Sequence, residues 1–149
     1  LARFAERYES LGEPVRRRLI VENDDRLFPV EDVLQLHEMI RIPVVFDWLH
    51  HVALNPSRIA PEEAARLALA TWPEGQKPKI HFSSIAESGF IAGKAAPHHD
   101  YINPDELIPF LSALVDHDFD VMLEAKMKDL AVLRARDAIR DAGIADRWW

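Results

Sequence analysis

Apolar positions along this chain keep two alternating rhythms. Short runs of β-prone residues, each closing on an acid or a histidine, alternate with stretches in which apolar residues recur every three or four places. The first rhythm predicts buried strands and the second amphipathic helices. Phe4 to Gly12 reads as the end of such a helix, with Gly12 as its stop. Arg18-Leu-Ile-Val-Glu-Asn-Asp-Asp25 holds a strand from Leu19 to Val21. Between Pro29 and Met39, Val30, Val33, Leu34 and His37 fall at helical intervals behind a proline suited to a first turn. Pro43-Val-Val-Phe-Asp-Trp-Leu-His-His51 gives a second strand, Val44 to Phe46, with Asp47 where the apolar run ends. Ala60 to Ala70 is helical, opened by Pro61 and two glutamates. Lys77-Pro-Lys-Ile-His-Phe-Ser-Ser84 is the third strand. Ile85 to Pro97, with Gly89, Gly93 and Pro97, is a loop ending in His98-His-Asp-Tyr101. Asn103 to Leu111 starts a helix with Asn103 as cap and Pro104 just inside. Asp120-Val-Met-Leu-Glu-Ala-Lys126 supplies a fourth strand, Val121 to Leu123, and Met127 to Ala142 a last helix stopped by Gly143.

Strand followed by helix, four times over, predicts an α/β domain with parallel strands. Two architectures satisfy it, a small open sheet or half of an eight-stranded barrel. A whole (β/α)8 TIM-like barrel takes about 250 residues, so 149 residues hold roughly half of one. Beginning without Met and in what reads as mid-helix, the chain is expected to be a piece of something longer. Its charged opening, Leu1-Ala-Arg-Phe-Ala-Glu, does not read as a signal peptide. No apolar run approaches the roughly 20 residues of a membrane helix, so no membrane partner is expected and cytoplasm is the default. With no cysteine, any metal must sit on His, Asp and Glu. A net charge of -7 argues mildly against a stand-alone nucleic-acid binder. Carboxylates gathered around ions would, however, count in that tally while the ions reverse the local sign.

The chemistry lies where the strands end. A parallel sheet brings all its carboxyl ends to one rim, so residues far apart in sequence meet there. Those ends carry Glu22, then Asp47 and His50, then Lys79 and His81, then Glu124, with His98, His99 and Asp100 from the loop after strand three. Oxygen and imidazole donors without sulfur suit manganese, zinc or iron, and magnesium less well. Several such groups in one pocket can hold two or three ions and clamp a phosphodiester for in-line attack. Taken alone, the Asp47–His51 segment slightly favours a plainer reading, a capping Asp beside surface histidines. The repetition at three other strand ends shifts the balance. Glu22 and Asp24 equally suit helix caps. His37 on its helix face and His117 among acids are set aside. His51 and His99 are the less favoured members of their pairs, since neighbours on a strand point opposite ways. Trp72, Trp148 and Trp149 read as packing residues or an exposed tail. An inward Lys79 needs a partner, and an ion pair with Asp47 or Glu22 is the simplest.

Val21-Glu-Asn-Asp-Asp25, Val45-Phe-Asp-Trp-Leu-His-His51, Lys77-Pro-Lys-Ile-His-Phe-Ser-Ser84, His98-His-Asp-Tyr101 and Val121-Met-Leu-Glu-Ala-Lys126 resemble, in order, motifs of the UV damage endonuclease family. That family is related to endonuclease four and the xylose-isomerase-like barrels. The resemblance spans Arg18 to Arg136 and corresponds to the carboxyl-terminal half of such an enzyme. It implies a manganese-dependent site of two or three ions, with Zn2+, Mg2+ or Co2+ as substitutes, nicking double-stranded DNA 5′ to UV photoproducts. By the same resemblance Glu22 bridges two ions, one completed by Asp47, His81 and Glu124. His50 and His98 hold a third, joined by Lys79 carboxylated by CO2. These motifs also put Asn23 and Tyr101 in contact with substrate. The loop between His81 and His98 is longer than the family pattern, and the adjacent His98 and His99 leave two registers open. The family's first half, which supplies two more histidines and the lesion-probing residues, has no counterpart here. It becomes an expected partner. A half with two bare strand edges and an apolar sheet face should otherwise self-associate. A xylose-isomerase-like enzyme acting on a small molecule, or a non-catalytic oligomerising module, are the competing classes.

Overall fold

The computed structural model describes residues 1–90 and 96–148. Gly89 of the expected loop falls within them, whereas Gly93 and Trp149 lie outside. Along the chain the elements are α1 (Ala2–Glu9), α2 (Glu13–Arg16), β1 (Val21–Glu22), α3 (Val30–Ile40), β2 (Val44–Asp47) and α4 (Trp48–Ala53). There follow α5 (Pro61–Leu69), β3 (Lys79–Phe82), α6 (Pro104–Ala113), β4 (Asp120–Leu123), α7 (Lys128–Asp141) and α8 (Ala145–Trp148). The four strands are all parallel and lie in the order β1-β2-β3-β4. Each strand therefore neighbours the next in sequence, with no reversal of order of the kind a doubly wound sheet shows. The α/β class read from the sequence is the class observed.

Register decides which residues share a face. Val21 pairs with Val44, Phe46 with Ile80, and Ile80 with Val121. These residues, with Phe82 and Leu123, join one core formed with α3, α5, α6 and α7. Phe110 of α6 is the centre of its aromatic part, 6.1 Å from Phe46 and 5.6 Å from Phe82 between ring centroids. Ala64, Ala65 and Ala68 of α5 are buried in the same core, and their short side chains let that helix approach β2 closely. A smaller cluster sets Ala5 and Tyr8 of α1 on Leu36 and Ile42.

Alternation turns the intervening residues the other way. Glu22 pairs with Val45, Asp47 with His81, and His81 with Met122. The face away from the helices thus carries acids, a histidine and Lys79 as well as Val45 and Met122. The expectation of an apolar sheet face holds only at the last two, and of these Val45 is buried while Met122 is half exposed. Both ends of the sheet, β1 and β4, are edges.

Boundaries moved where hydrogen bonding overrode the pattern. Strand one was expected from Leu19 but pairs only at Val21 and Glu22, because Leu19 N–H bonds back to Arg16 O in a turn. The first helix ends at Glu9, and a second short helix containing Pro14 follows Gly12. A helix begins directly at Trp48, where the apolar pattern predicts only a strand end. Its cause is Asp47, whose side chain accepts the N–H of His50 at 2.8 Å and caps the first turn. Trp72 ties its loop to β2, its indole N–H donating to Val44 O at 2.7 Å. Trp148 sets its ring 4.9 Å from Phe119, a packing role.

Candidate metal centre

Glu22 is the last residue of β1, and its two carboxylate oxygens face two histidines. Oε1 lies 3.2 Å from His50 Nδ1 and Oε2 lies 3.2 Å from His81 Nδ1. Asp47, the last residue of β2, is fully buried. Its Oδ1 caps α4 and lies 3.7 Å from His50 Nδ1, whereas Oδ2 is buried with no hydrogen-bond partner among the described residues. His81 Nδ1 is buried too, close to Glu22 for Coulomb attraction but not aligned for a hydrogen bond. One ligand atom from each of Glu22, Asp47 and His81 falls within 4.8 Å of the others.

Glu124 joins from one residue past β4, where its N–H donates to Phe82 O and prolongs the ladder. Its carboxylate reaches 3.8 Å from His81 Nδ1 and 3.8 Å from His98 Nε2. His98 is carried back to the rim by a short antiparallel pairing. Ile85 bridges His98, Ala86 N–H donates to Pro97 O, and His99 N–H donates to Ser84 O. With this pairing His98 faces Glu124, while the His99 ring accepts from the N–H of Tyr101.

Charge is finely opposed here. Burial alone would raise the Glu22 carboxyl, but the two imidazoles outweigh it and hold it at about 2. For Asp47 burial wins, pushing its carboxyl up to about 7 against the pull of His50, with Glu22 and Glu124 adding repulsion. Burial would lower His50, yet Glu22 and Asp47 raise it to about 9. His81 is raised chiefly by Glu22. Three carboxylates and three imidazoles, two of them with buried atoms lacking partners, form a donor set that a hard or borderline divalent ion would satisfy.

Not every expected residue joins. Asn23, expected to touch substrate, is fully buried: its carboxamide N–H donates to Asp47 O at 3.0 Å and its oxygen accepts Asp47 N–H at 2.9 Å. No surface is left to it, so the substrate role is withdrawn. Lys79 opens β3 rather than closing it, because pairing with β4 begins at Lys79 and Asp120. Among the described residues no ion pair joins it to Asp47 or Glu22, so the simplest sequence explanation of an inward lysine does not hold. Tyr101 lies beside the rim under the Arg134 guanidinium, 4.8 Å from its centroid, lining a cleft of about 520 Å³. His51 is a core residue bonded to Ile59 O, and His37 bonds to Ile42 O. Asp24 caps no helix; its Oδ1 accepts the N–H groups of Arg26, Leu27 and Phe28.

Fold and cluster together define a parallel α/β protein with a carboxylate–imidazole site at the carboxyl rim of its strands. Comparison with known proteins narrows this. The family described as UV-endonuclease UvdE matches residues 1–144, and the chain belongs to that family. A UV DNA damage endonuclease of Halalkalibacterium halodurans is 41% identical over 140 residues, covering 90% of this chain and 41% of that protein. One from Bacillus mycoides is 36% identical over 138 residues, covering 90% and 42%. The crystal structure of SacUVDE superposes with a TM-score of 0.81 at 32% identity, over 95% of this chain and 46% of that one. The chain thus spans less than half the length of these relatives.

Proposed function

We propose that this chain carries the metal-holding rim of an endonuclease that nicks double-stranded DNA 5′ to UV photoproducts. One observation carries the reading: in a chain of the UV-endonuclease family, Glu22, Asp47 and His81 converge within 4.8 Å, while Asp47 Oδ2 and His81 Nδ1 are buried with no hydrogen-bond partner among the described residues. Glu22, Asp47, His81 and Glu124 would hold one divalent ion, manganese first, with Glu22 shared to a second. His50 and His98 would hold a third together with Lys79. Bound there, such ions supply Lewis-acid activation of the phosphodiester and of the water that attacks it. The chain's own groups fix the donors in place: Asp47 by its cap on α4, His98 by the pairing at Ile85, Glu124 by the ladder to Phe82. Lys79 faces the same side as His81 and has no ion pair among the described residues, which suits its conversion by CO2 to a carbamate. A mass about 44 Da above that of the sequence would report it, and an unmodified amine in a metal-loaded sample would end it.

Residues 1–149 act in this reading as one half of a (β/α)8 barrel, completed across the β1 and β4 edges, at the nucleoid in the cytoplasm. Single-order parallel strands and coverage of under half of each relative support it. The test is nicking of UV-irradiated against intact plasmid with Mn2+. The chain is assayed alone and with the portion of the Halalkalibacterium relative that the match does not cover. Lesion-dependent nicking on mixing is expected. Equal nicking of both plasmids, or none after mixing, would overturn the proposal.

A further inference from the structure

We infer that Asn23 is a positioning residue that sets Asp47 and His50 for metal uptake by copying one rung of the β1–β2 ladder with its side chain. The inference rests on the metal reading above. Regular pairing between these strands ends at Glu22 and Val45. One step further, the Asn23 carboxamide takes over, donating to Asp47 O at 3.0 Å and accepting Asp47 N–H at 2.9 Å. Both polar ends of one side chain are thus bound to both main-chain groups of one residue, as a peptide group would bind them. Asn23 is fully buried, so no water competes.

The main chain of the same residue serves a second member of the site. Asn23 O lies 3.0 Å from His50 Nδ1, and Glu22 Oε1 lies 3.2 Å from that same nitrogen. Two oxygen acceptors around Nδ1 require that nitrogen to keep its proton, so Nε2 is the nitrogen whose lone pair would serve a metal once the ring is neutral. Fixing the tautomer through the other ring nitrogen is how supporting groups aim a ligand histidine. Covalently next to Glu22, doubly bonded to Asp47 and bonded once to His50, Asn23 couples three candidate donors on two strands and a helix. An aspartate could not replace it, because its carboxylate has no N–H for Asp47 O. A serine would be too short to span both groups.

A buried asparagine can also be plain scaffolding, so the test needs a control that loosens the same strand elsewhere. Thr71 supplies one: its Oγ1 accepts Val44 N–H at 2.8 Å, at the opposite end of β2. Mn2+ uptake by the 149-residue chain is followed by loss of the free-ion electron paramagnetic resonance signal, with melting recorded by circular dichroism. Asn23→Ala should weaken Mn2+ binding by about 10- to 100-fold, the range found for groups that support ligands, while Thr71→Val leaves it within about twofold. Both should melt earlier than wild type. Equal weakening by the two variants, or undiminished binding by a folded Asn23→Ala, would overturn the inference. Wild type taking up no Mn2+ would instead sink the metal reading on which it rests. Should Asn23→Ala not fold, wild type still decides by nuclear magnetic resonance. The Asn23 side-chain amide should exchange slowly and shift together with the Asp47 amide on Zn2+ addition. A fast-exchanging side chain that ignores Zn2+ refutes it.

Discussion

Asp47→Asn should make the metal-free chain more stable in mild alkali while removing the stabilisation that metal provides. The carboxyl of Asp47 is fully buried and raised from an ordinary 3.8 to about 7, first by loss of hydration. At about 1.4 kcal/mol for each tenfold change in proton affinity, that corresponds to roughly 4 kcal/mol between its charged and neutral forms. An acid with a raised folded pKa binds its proton more tightly when folded. Wild type therefore loses stability as pH rises from 3.8 through about 7 and no further above it. Asparagine keeps an oxygen for the His50 N–H and has no charge to bury. A weaker pull on His50 offsets part of the gain, so the variant's advantage at pH 8 over that at pH 4 should be about 2–4 kcal/mol. Comparing the two pH values cancels the unpartnered atom that each side chain leaves in the site. Urea unfolding in EDTA at both pH values measures it. With Mn2+ at a hundredfold excess over its dissociation constant, wild type should gain about 2.7 kcal/mol and the variant almost nothing. A variant equally destabilised at both pH values, or stabilised by Mn2+ as wild type is, would refute the reasoning.

His50, raised to about 9, should keep a protonated imidazole in the metal-free chain at pH 8, and its ring shifts on titration should show this; a midpoint near 6.5 would refute it. Because metal must displace that proton, Mn2+ affinity should rise with pH up to about 9. Phe46→Ala empties the fully buried space beside Phe110 and His51 and should cost about 3–5 kcal/mol in urea unfolding; a loss under 1 kcal/mol would mean that the core there collapses to fill it. Arg134→Ala removes an exposed stacking contact with Tyr101 and should change stability by under about 1 kcal/mol. If the cleft receives DNA, it should lower the salt slope of duplex binding by about one, and an unchanged slope would exclude a phosphate contact. With β1 and β4 both at sheet edges, the chain should self-associate at micromolar concentration in light scattering, and a monodisperse monomer would count against edge pairing.

The rim was legible in the sequence because a buried parallel strand is a nearly unbroken apolar run, and the first polar residue after it marks the end. Val44 to Asp47 shows this, every residue buried and only the last polar. Sequence could not show which way Asn23 turns, since its burial depends on Asp47, 24 positions away. Nor could it separate His98 from His99, because the antiparallel bridge at Ile85 sets that register and a loop has no periodicity to betray it. The place of Lys79 along its strand was hidden for a related reason. Its motif lies near the strand's end in sequence, but pairing to Asp120 puts it at the start. Helix α4 is only six residues long, too short for an apolar rhythm, and its one signal is an Asp three places before a His.

That Asp-x-x-His spacing admits a cap or a ligand pair, and the geometry gives each of the two oxygens of Asp47 a different part. Capping requires one acceptor, and Oδ1 provides it to the His50 N–H. Serine, threonine or asparagine would cap as well without burying a charge. The fold alone therefore gives no reason for Oδ2, a buried oxygen with no partner among the described residues, on a group that burial works against ionising. Such breaches of local stability concentrate where a site needs them. Glu22 and His81 each bring a ligand atom within 4.8 Å of one from Asp47, and Asn23 holds the Asp47 main chain, so a proton or a bound cation would relieve the strain at this carboxylate.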